Sequence, residues 1–190
     1  DYDKAIQLDP KYVWAYVDRG IAYDDLGQYE RAIQDYDQAI ELNSKYAPAY
    51  YNRGDAYYHL GQYERAIQDY DKAIQLDPKY VWAYNNRGYA YANLNQYERA
   101  IQDYDKAIQL DPKYVGAYNN RGNAYANLNQ YEHAIQDFDK RIELDPESAL
   151  AYKNRGNAYQ ALGKTPEAES DFAKYKELTG QDAQWMSKNS

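Results

Sequence analysis

An all-α solenoid of stacked helix pairs is the fold this sequence predicts, on three observations. The chain repeats itself: AIQDYDKAIQLDPKYV stands at 66–81 and again at 100–115, an offset of 34 residues, and residues 69–84 restate 1–16 two periods later. A fixed period of this kind marks one supersecondary unit stacked on copies of itself, each burying its apolar face on its neighbours. Within a copy, apolar letters recur at the three-and-four spacing of an amphipathic helix, twice over. Turn residues fall at fixed places between and after the two helical stretches.

The elements follow in order. Residues 1–12 match the second half of a repeat and are read as a truncated copy whose first helix is missing, so that Tyr2, Ala5 and Ile6 lack part of their cover. Complete repeats are expected at 13–46, 47–80, 81–114 and 115–148, then a degenerate capping repeat at 149–182 and a tail at 183–190. In the first complete copy, Ala15, Tyr16, Arg19, Ala22, Tyr23 and Leu26 mark one helix, and Ala32, Ile33, Tyr36, Ala39 and Ile40 the other. The break between helices carries Gly27, Gly61, Asn95, Asn129 or Gly163, the residue types that best tolerate a left-handed helix end. The second helix is expected to stop at Asp-Pro (Asp77-Pro78, Asp111-Pro112, Asp145-Pro146), because proline disfavours helix in the residue before it. In the last repeat, Thr165 is expected as N-cap with Pro166 following it. There Tyr175 and Lys176 replace Ala39-type and Ile40-type residues, the polar outer face that a final repeat needs. The loose tail from Gly180 carries Trp185, and the carboxy-terminus reads as natural.

The pattern Tyr16-x-x-Arg19-Gly20-x-x-Tyr23, followed by Ala32-x-x-x-Tyr36 and the closing proline, resembles the tetratricopeptide repeat family over residues 1 to about 180. The resemblance implies a right-handed superhelical α-solenoid that serves protein–protein interaction, with first helices lining a concave groove and second helices covering the convex side. Gly20, Gly54, Gly88, Gly122 and Ala32, Ala66, Ala100, Ala134 are then places of close helix approach. One departure recurs: Arg19, Arg53, Arg87, Arg121 and Arg155 stand where the family most often shows Leu. Since Asp1, Asp35, Asp69, Asp103, Asp137 and Asp171 recur with them, an Arg–Asp ladder between helices is expected, because buried charges need pairing. Some subfamilies grip a free carboxy-terminus with Lys and Asn on successive helices; only Lys153 and Asn157 fit that pattern, so chaperone tails are not the expected ligand.

Composition narrows the function classes. Mean hydropathy is −1.04, yet 44% of the residues are apolar, and 26 Tyr against 2 Phe and 3 Trp supply a core of amphipathic rings. A net charge of −8 argues against nucleic acid and anionic membranes, which need clustered Lys and Arg. No long apolar run or signal-type segment appears, so the visible chain reads as soluble, a cytoplasmic setting being favoured but the compartment left open. Zero cysteines exclude disulfides, thiolate metal sites and cysteine catalysis.

The groove positions, on the family's arrangement, are Trp14, Val17, Asp18, Ile21, Asp24 and Asp25 in the first repeat and Tyr51, Asn52, Asp55, Tyr58 and His59 in the second. The third supplies Trp82, Asn85, Asn86, Tyr89 and Asn93; the fourth Asn119, Asn120, Asn123 and Asn127; the fifth Lys153, Asn154 and Asn157. These are the positions at which the copies differ most. The groove is graded, acidic and aromatic toward the amino-terminus, an asparagine ladder toward the carboxy-terminus. Asparagine is a poor interior helix residue, and its amide offers both a donor and an acceptor to an extended peptide backbone. The alternative is that asparagine is a tolerated solvent-facing letter copied by duplication.

No enzyme is expected. His59 and His133 sit at different registers, His133 replacing the arginine of Arg31, Arg65 and Arg99, and no phosphate loop, HExxH or Ser/His/Asp pattern appears. No metal and no cofactor are expected either. The predicted partner is a protein or peptide segment, extended and basic or neutral. Two rival readings stand beside it: a self-associating scaffold, joined through the truncated amino-terminal end or the Trp185 tail, and the adaptor region of a longer regulatory or enzymatic protein.

Overall fold

The computed structural model describes residues 1–181; Trp185 and the rest of the tail lie outside the described residues. Eleven helices and no strand occur among the described residues. They divide into two compact units, the first from Asp1 to Gln96 and the second from Tyr97 onward.

The first unit holds α1 (Tyr2–Leu8), α2 (Val13–Asp25), α3 (Tyr29–Leu42), α4 (Ala47–His59), α5 (Tyr63–Leu76) and α6 (Val81–Asn93). The second holds α7 (Tyr97–Leu110), α8 (Val115–Asn127), α9 (Tyr131–Leu144), α10 (Ala149–Ala161) and α11 (Thr165–Thr179). Within each unit, consecutive helices pack antiparallel, each against the next. Even-numbered helices are the first helices of their repeats, and odd-numbered ones the second.

The punctuation acts as its chemistry demands. After α4, Gly61 adopts φ 72°; its N–H donates to the Tyr58 carbonyl and the Gln62 N–H to the Tyr57 carbonyl, both at 2.9 Å. This is the paired closure of a Schellman end, which satisfies two carbonyls that would otherwise be orphaned. Asn95 does the same work without glycine, at φ 57°. Where Asp-Pro follows, the second helix ends two residues before the proline: α5 stops at Leu76, Asp77 is extended and Pro78 follows. In the last repeat Thr165 is the first helical residue and Lys164 the N-cap, with no side-chain cap bond. The N-cap expected at Thr165 therefore moves back one residue, because Pro166 is tolerated anywhere in the first turn, where no N–H is needed.

The core is built on one ring per repeat. Tyr36, Tyr70, Tyr104 and Phe138 are fully buried, and Tyr36, Tyr70 and Phe138 each pack where a first helix of the same unit offers glycine: a Cβ on Gly54 would lie 2.8 Å from the Tyr70 ring, and one on Gly122 2.7 Å from Phe138. Alanines such as Ala32, Ala39, Ala49 and Ala56 complete the layer around Tyr36. Tyrosine is workable in so dry a place because its hydroxyl finds a carboxylate: Tyr36 donates to Asp24 at 3.1 Å and Tyr70 to Asp55 at 2.6 Å.

The arginines stand as a ladder, and the ladder has two rails. Arg53 forks onto Asp69 through Nε (2.8 Å) and Nη2 (2.7 Å), and its Nη1 reaches Asp37. Arg19, Arg121 and Arg155 repeat the fork on Asp35, Asp137 and Asp171. The second rail, Asp3, Asp37, Asp71, Asp105 and Asp139, bonds the outer nitrogen of the arginine sixteen residues on. Asp1 stands at the inner-rail register, that of Asp35, and the residue of α1 that meets Arg19 is Asp3, at the outer-rail register. For Arg19, hydrogen bonding to Asp35 outweighs desolvation and holds the guanidinium well above its ordinary pKa.

Candidate protein-interaction surface

First helices lie side by side within each unit, α2 by α4 by α6 in the first and α8 by α10 in the second. Residues near 31 or 35 positions apart meet across that seam: Asn86 donates to Asp55 and to the Tyr51 hydroxyl, each at 2.9 Å, and Asn93 donates to the Tyr58 hydroxyl at 2.9 Å. Asp55 is crowded by these bonds, and burial pushes its carboxyl above the usual range against the donors Tyr70 and Asn86.

The first unit presents aromatic rings and free carboxylates together. Trp14 is 52% exposed, Trp82 57% and Tyr89 46%, with Ile21 also open; Asp18, Asp25 and His59 are exposed beside them. Trp14 stands edge-on to Tyr46 at 4.8 Å and Trp82 edge-on to Tyr80 at 6.0 Å, so each indole braces on an inter-repeat turn while leaving its outer face open. Tyr58 is the centre of an aromatic cluster with Tyr63 (5.3 Å), Tyr89 (5.2 Å) and His59 (5.8 Å), and His59 also stacks on Tyr29 at 5.1 Å.

Asp24 is half-buried with the Tyr36 hydroxyl on one oxygen, while Oδ1 is buried with no hydrogen-bond partner. Burial pushes its pKa up to about 6, with the nearby Asp55 adding to the rise and Tyr36 and His59 opposing it. No cluster of three or more metal-ligating side chains occurs among the described residues.

In the second unit the asparagines bond one another. Asn154 donates to Asn123 Oδ1 at 2.9 Å, Asn127 donates to the Asn123 carbonyl at 2.8 Å, and Asn119 lies 3.5 Å from Asn120 Oδ1. Asn123, Asn127, Asn154 and Asn157 rim a cavity of about 530 Å³ between α8 and α10, with Phe138 and Tyr131 of α9 also lining it.

One register position departs from the expected surface. Val17 is 3% exposed, packed in the core cluster with Tyr36 and Ala49. Asn85 is 6% exposed and gives its amide to Asn86 at 3.0 Å. Lys153, at the same register, lies over the Tyr175 ring of α11 at 5.7 Å. The seam between neighbouring first helices and their second helices covers Val17 and Asn85, so these two are not open to a ligand as the sequence predicts, whereas Tyr51 and Lys153 at the same register are half-buried. Conversely, the reading passed over Tyr131 and Phe138, whose signal was Phe138 standing where other repeats carry Tyr. His133, open to solvent, stacks on Tyr125 at 5.1 Å; it replaces the guanidinium that in Arg31 and Arg65 lies over Tyr23 and Tyr57.

No helix among the described residues is long and apolar enough to cross a membrane. A family model described as TPR repeat matches residues 20–61, 54–95 and 122–163. Two models described as tetratricopeptide repeat match 81–114 and, for the other, 1–34 and 103–136. No curated protein matches the chain. Among solved structures, the chain is similar to YrrB, described as a TPR protein with an unusual peptide-binding site, at 25% identity and TM-score 0.77 over 95% of this chain and 93% of that one. It is also similar to MamA, at 26% identity and TM-score 0.80 over 92% and 95% of the two chains. MamA 41-end from Desulfovibrio magneticus RS-1 gives 25% identity and TM-score 0.81 over 87% and 94%. Repeat period, paired helices, glycine-on-ring packing and the matched family models together place the chain in the tetratricopeptide repeat family.

Proposed function

We propose that the chain is a protein-interaction scaffold whose first-helix surface holds an extended segment of a partner protein. The observation that carries this reading is the co-presentation of half-open aromatic faces, Trp14, Trp82 and Tyr89, with exposed carboxylates at Asp18 and Asp25 that have no partner among the described residues. Large aromatics are enriched where binding energy concentrates, and rim charges set encounter and partner choice. The partner is basic or neutral at this end, since the net charge is −8 and five arginines are held in the internal ladder. That balance disfavours nucleic acid and anionic lipid. The peptide-binding site in the printed description of YrrB supports the reading by analogy. Repeats of this family generally act as scaffolds and not as catalysts.

The test is selection of a random linear peptide library on the immobilised chain, beside a Trp14→Ala/Trp82→Ala variant and an Asp18→Asn/Asp25→Asn variant. Asp18 and Asp25 make no hydrogen bond or ion pair among the described residues, so the second variant should melt with the wild type, while the first gives up the edge-on contacts with Tyr46 and Tyr80 and is compared only once its helical content and folding at the assay temperature are checked. Peptides lost on the first variant and less salt-dependent on the second support the surface; equal retention on all three chains moves the site elsewhere. Sedimentation at several concentrations separates the rival, a self-associating scaffold, which requires mass to rise with concentration.

A further inference from the structure

The cavity of the second unit is opened by the repeat's own departures. Two periods earlier, the position of Ala126 is Tyr58, whose ring fills the equivalent place against Tyr63 and Tyr89. Asn157 stands where Tyr89 would be, Phe138 where Tyr70 would be, and Asn123 where Asp55 would be. Two rings are thus removed, and the hydroxyl–carboxylate bond of Tyr70 and Asp55 has lost both its donor and its acceptor. What remains is about 530 Å³ with no charged side chain in its lining.

The hydrogen-bonding capacity left in this space is specific. Asn123 Oδ1 is taken by Asn154 and the Asn127 amide N–H by the Asn123 carbonyl. That leaves the Asn123 Nδ2 hydrogens, the oxygens of Asn154 and Asn127, and both ends of the Asn157 amide without partners among the described residues. A ligand must therefore donate and accept at one point, carry no charge, and present apolar surface to Phe138 and Tyr131. Charge would be stranded here against neutral amides.

We infer that this cavity is a side-chain pocket for a primary carboxamide, the end of a glutamine or asparagine in the bound segment. A trans peptide unit points its N–H and C=O in opposite directions, so convergent amides engage only one of them. A primary carboxamide presents C=O and a syn N–H side by side. It closes a two-bond ring with the Asn157 amide, each group donating one N–H and accepting one. Its methylene stem then lies along Phe138 and Tyr131. The inference rests on the scaffold reading above and adds a residue preference to it.

The experiment is the same random linear library, sequenced after selection on the chain and on an Ala126→Tyr variant. That variant restores the ring a sister repeat already accommodates, and its melting is checked beside the wild type. The expected result is glutamine or asparagine enriched at one peptide position over glutamate, aspartate and leucine by about tenfold, the value of roughly two net hydrogen bonds. The enrichment should vanish with Ala126→Tyr while peptide binding through the first unit persists. Selected peptides with no carboxamide preference, or with a preference that Ala126→Tyr leaves intact, overturn the pocket and leave the scaffold reading standing. Absence of any selected peptide overturns both.

Discussion

Arg53 and Asp69, sixteen residues apart, are joined by a two-bond fork at 2.8 and 2.7 Å, with the carboxylate side chain 8% exposed and the arginine 19%. The pair is strong enough to matter because neither ion has much water to fall back on. Arg53→Ala should cost about 3 kcal/mol in chemical denaturation by stranding Asp69. Arg53→Lys should lose less, keeping the charge but not the fork. Asp37, 53% exposed on the outer nitrogen, is a solvated partner, and Asp37→Asn should cost less than about 1 kcal/mol. Equal losses at Asp37 and Arg53 would show that the inner rail has no special weight.

Asp24 makes stability depend on pH. Its folded pKa of about 6 lies above the ordinary 3.8, so the folded state binds the proton more tightly than the unfolded chain does. The resulting stabilisation is complete below about pH 4 and is lost as pH rises through 6. Asp24→Asn keeps an acceptor for the Tyr36 hydroxyl and never ionises. The difference in melting temperature, variant minus wild type, should therefore grow from pH 4 to pH 7 and flatten above it. A constant difference across that range would mean the carboxylate is solvated in both states.

Gly54 faces a ring that cannot retreat. A methyl there would sit 2.8 Å from Tyr70 and 3.3 Å from the Ala66 carbonyl, and Tyr70 is fully buried with its hydroxyl fixed on Asp55. Gly54→Ala should cost about 2 kcal/mol by overpacking, although alanine is the better helix former. Gain of stability on denaturation would show that the helices separate freely at this point.

Helix pairs, breaks and close-approach glycines were legible because each is a local property: apolar spacing, a left-handed Gly or Asn, a proline after Asp. The inner rail of the ladder was legible because Arg and Asp recur together and burial forces pairing. Its outer rail was not, since Asp37 and its counterparts look like any solvated helix residue until Arg53 is seen to have a third nitrogen to satisfy. Val17 and Asn85 were misplaced for a related reason. Periodicity assigns a face to within a fraction of a turn, and only the packing of neighbouring repeats decides whether a residue beside the seam is covered. A second compensation was likewise invisible: Arg141 takes the place of the small Ala39 type and Ser148 that of Tyr46. Their 3.2 Å bond shows one large side chain exchanged for another across the same junction.

Asn52 and Asn86 occupy the same register one repeat apart, and they separate the two meanings of the asparagine ladder. Asn86 is built into the seam, bonding Asp55 and Tyr51. Asn52 faces Val17 and Ile21 at the corresponding places one repeat back, which accept nothing, and its amide has no partner among the described residues. Asn86→Ala should therefore cost about 1–2 kcal/mol, since a buried carboxylate loses a donor. Asn52→Ala should raise stability by a few tenths, roughly the gain in helix propensity, up to about 0.6 kcal/mol. An asparagine kept at a site where it stabilises nothing is available to a ligand, so Asn52→Ala should weaken peptides selected on the first unit while leaving melting intact. Unchanged peptide affinity together with improved stability would make Asn52 a relic of duplication, and the ladder would then be structural wherever its members bond one another.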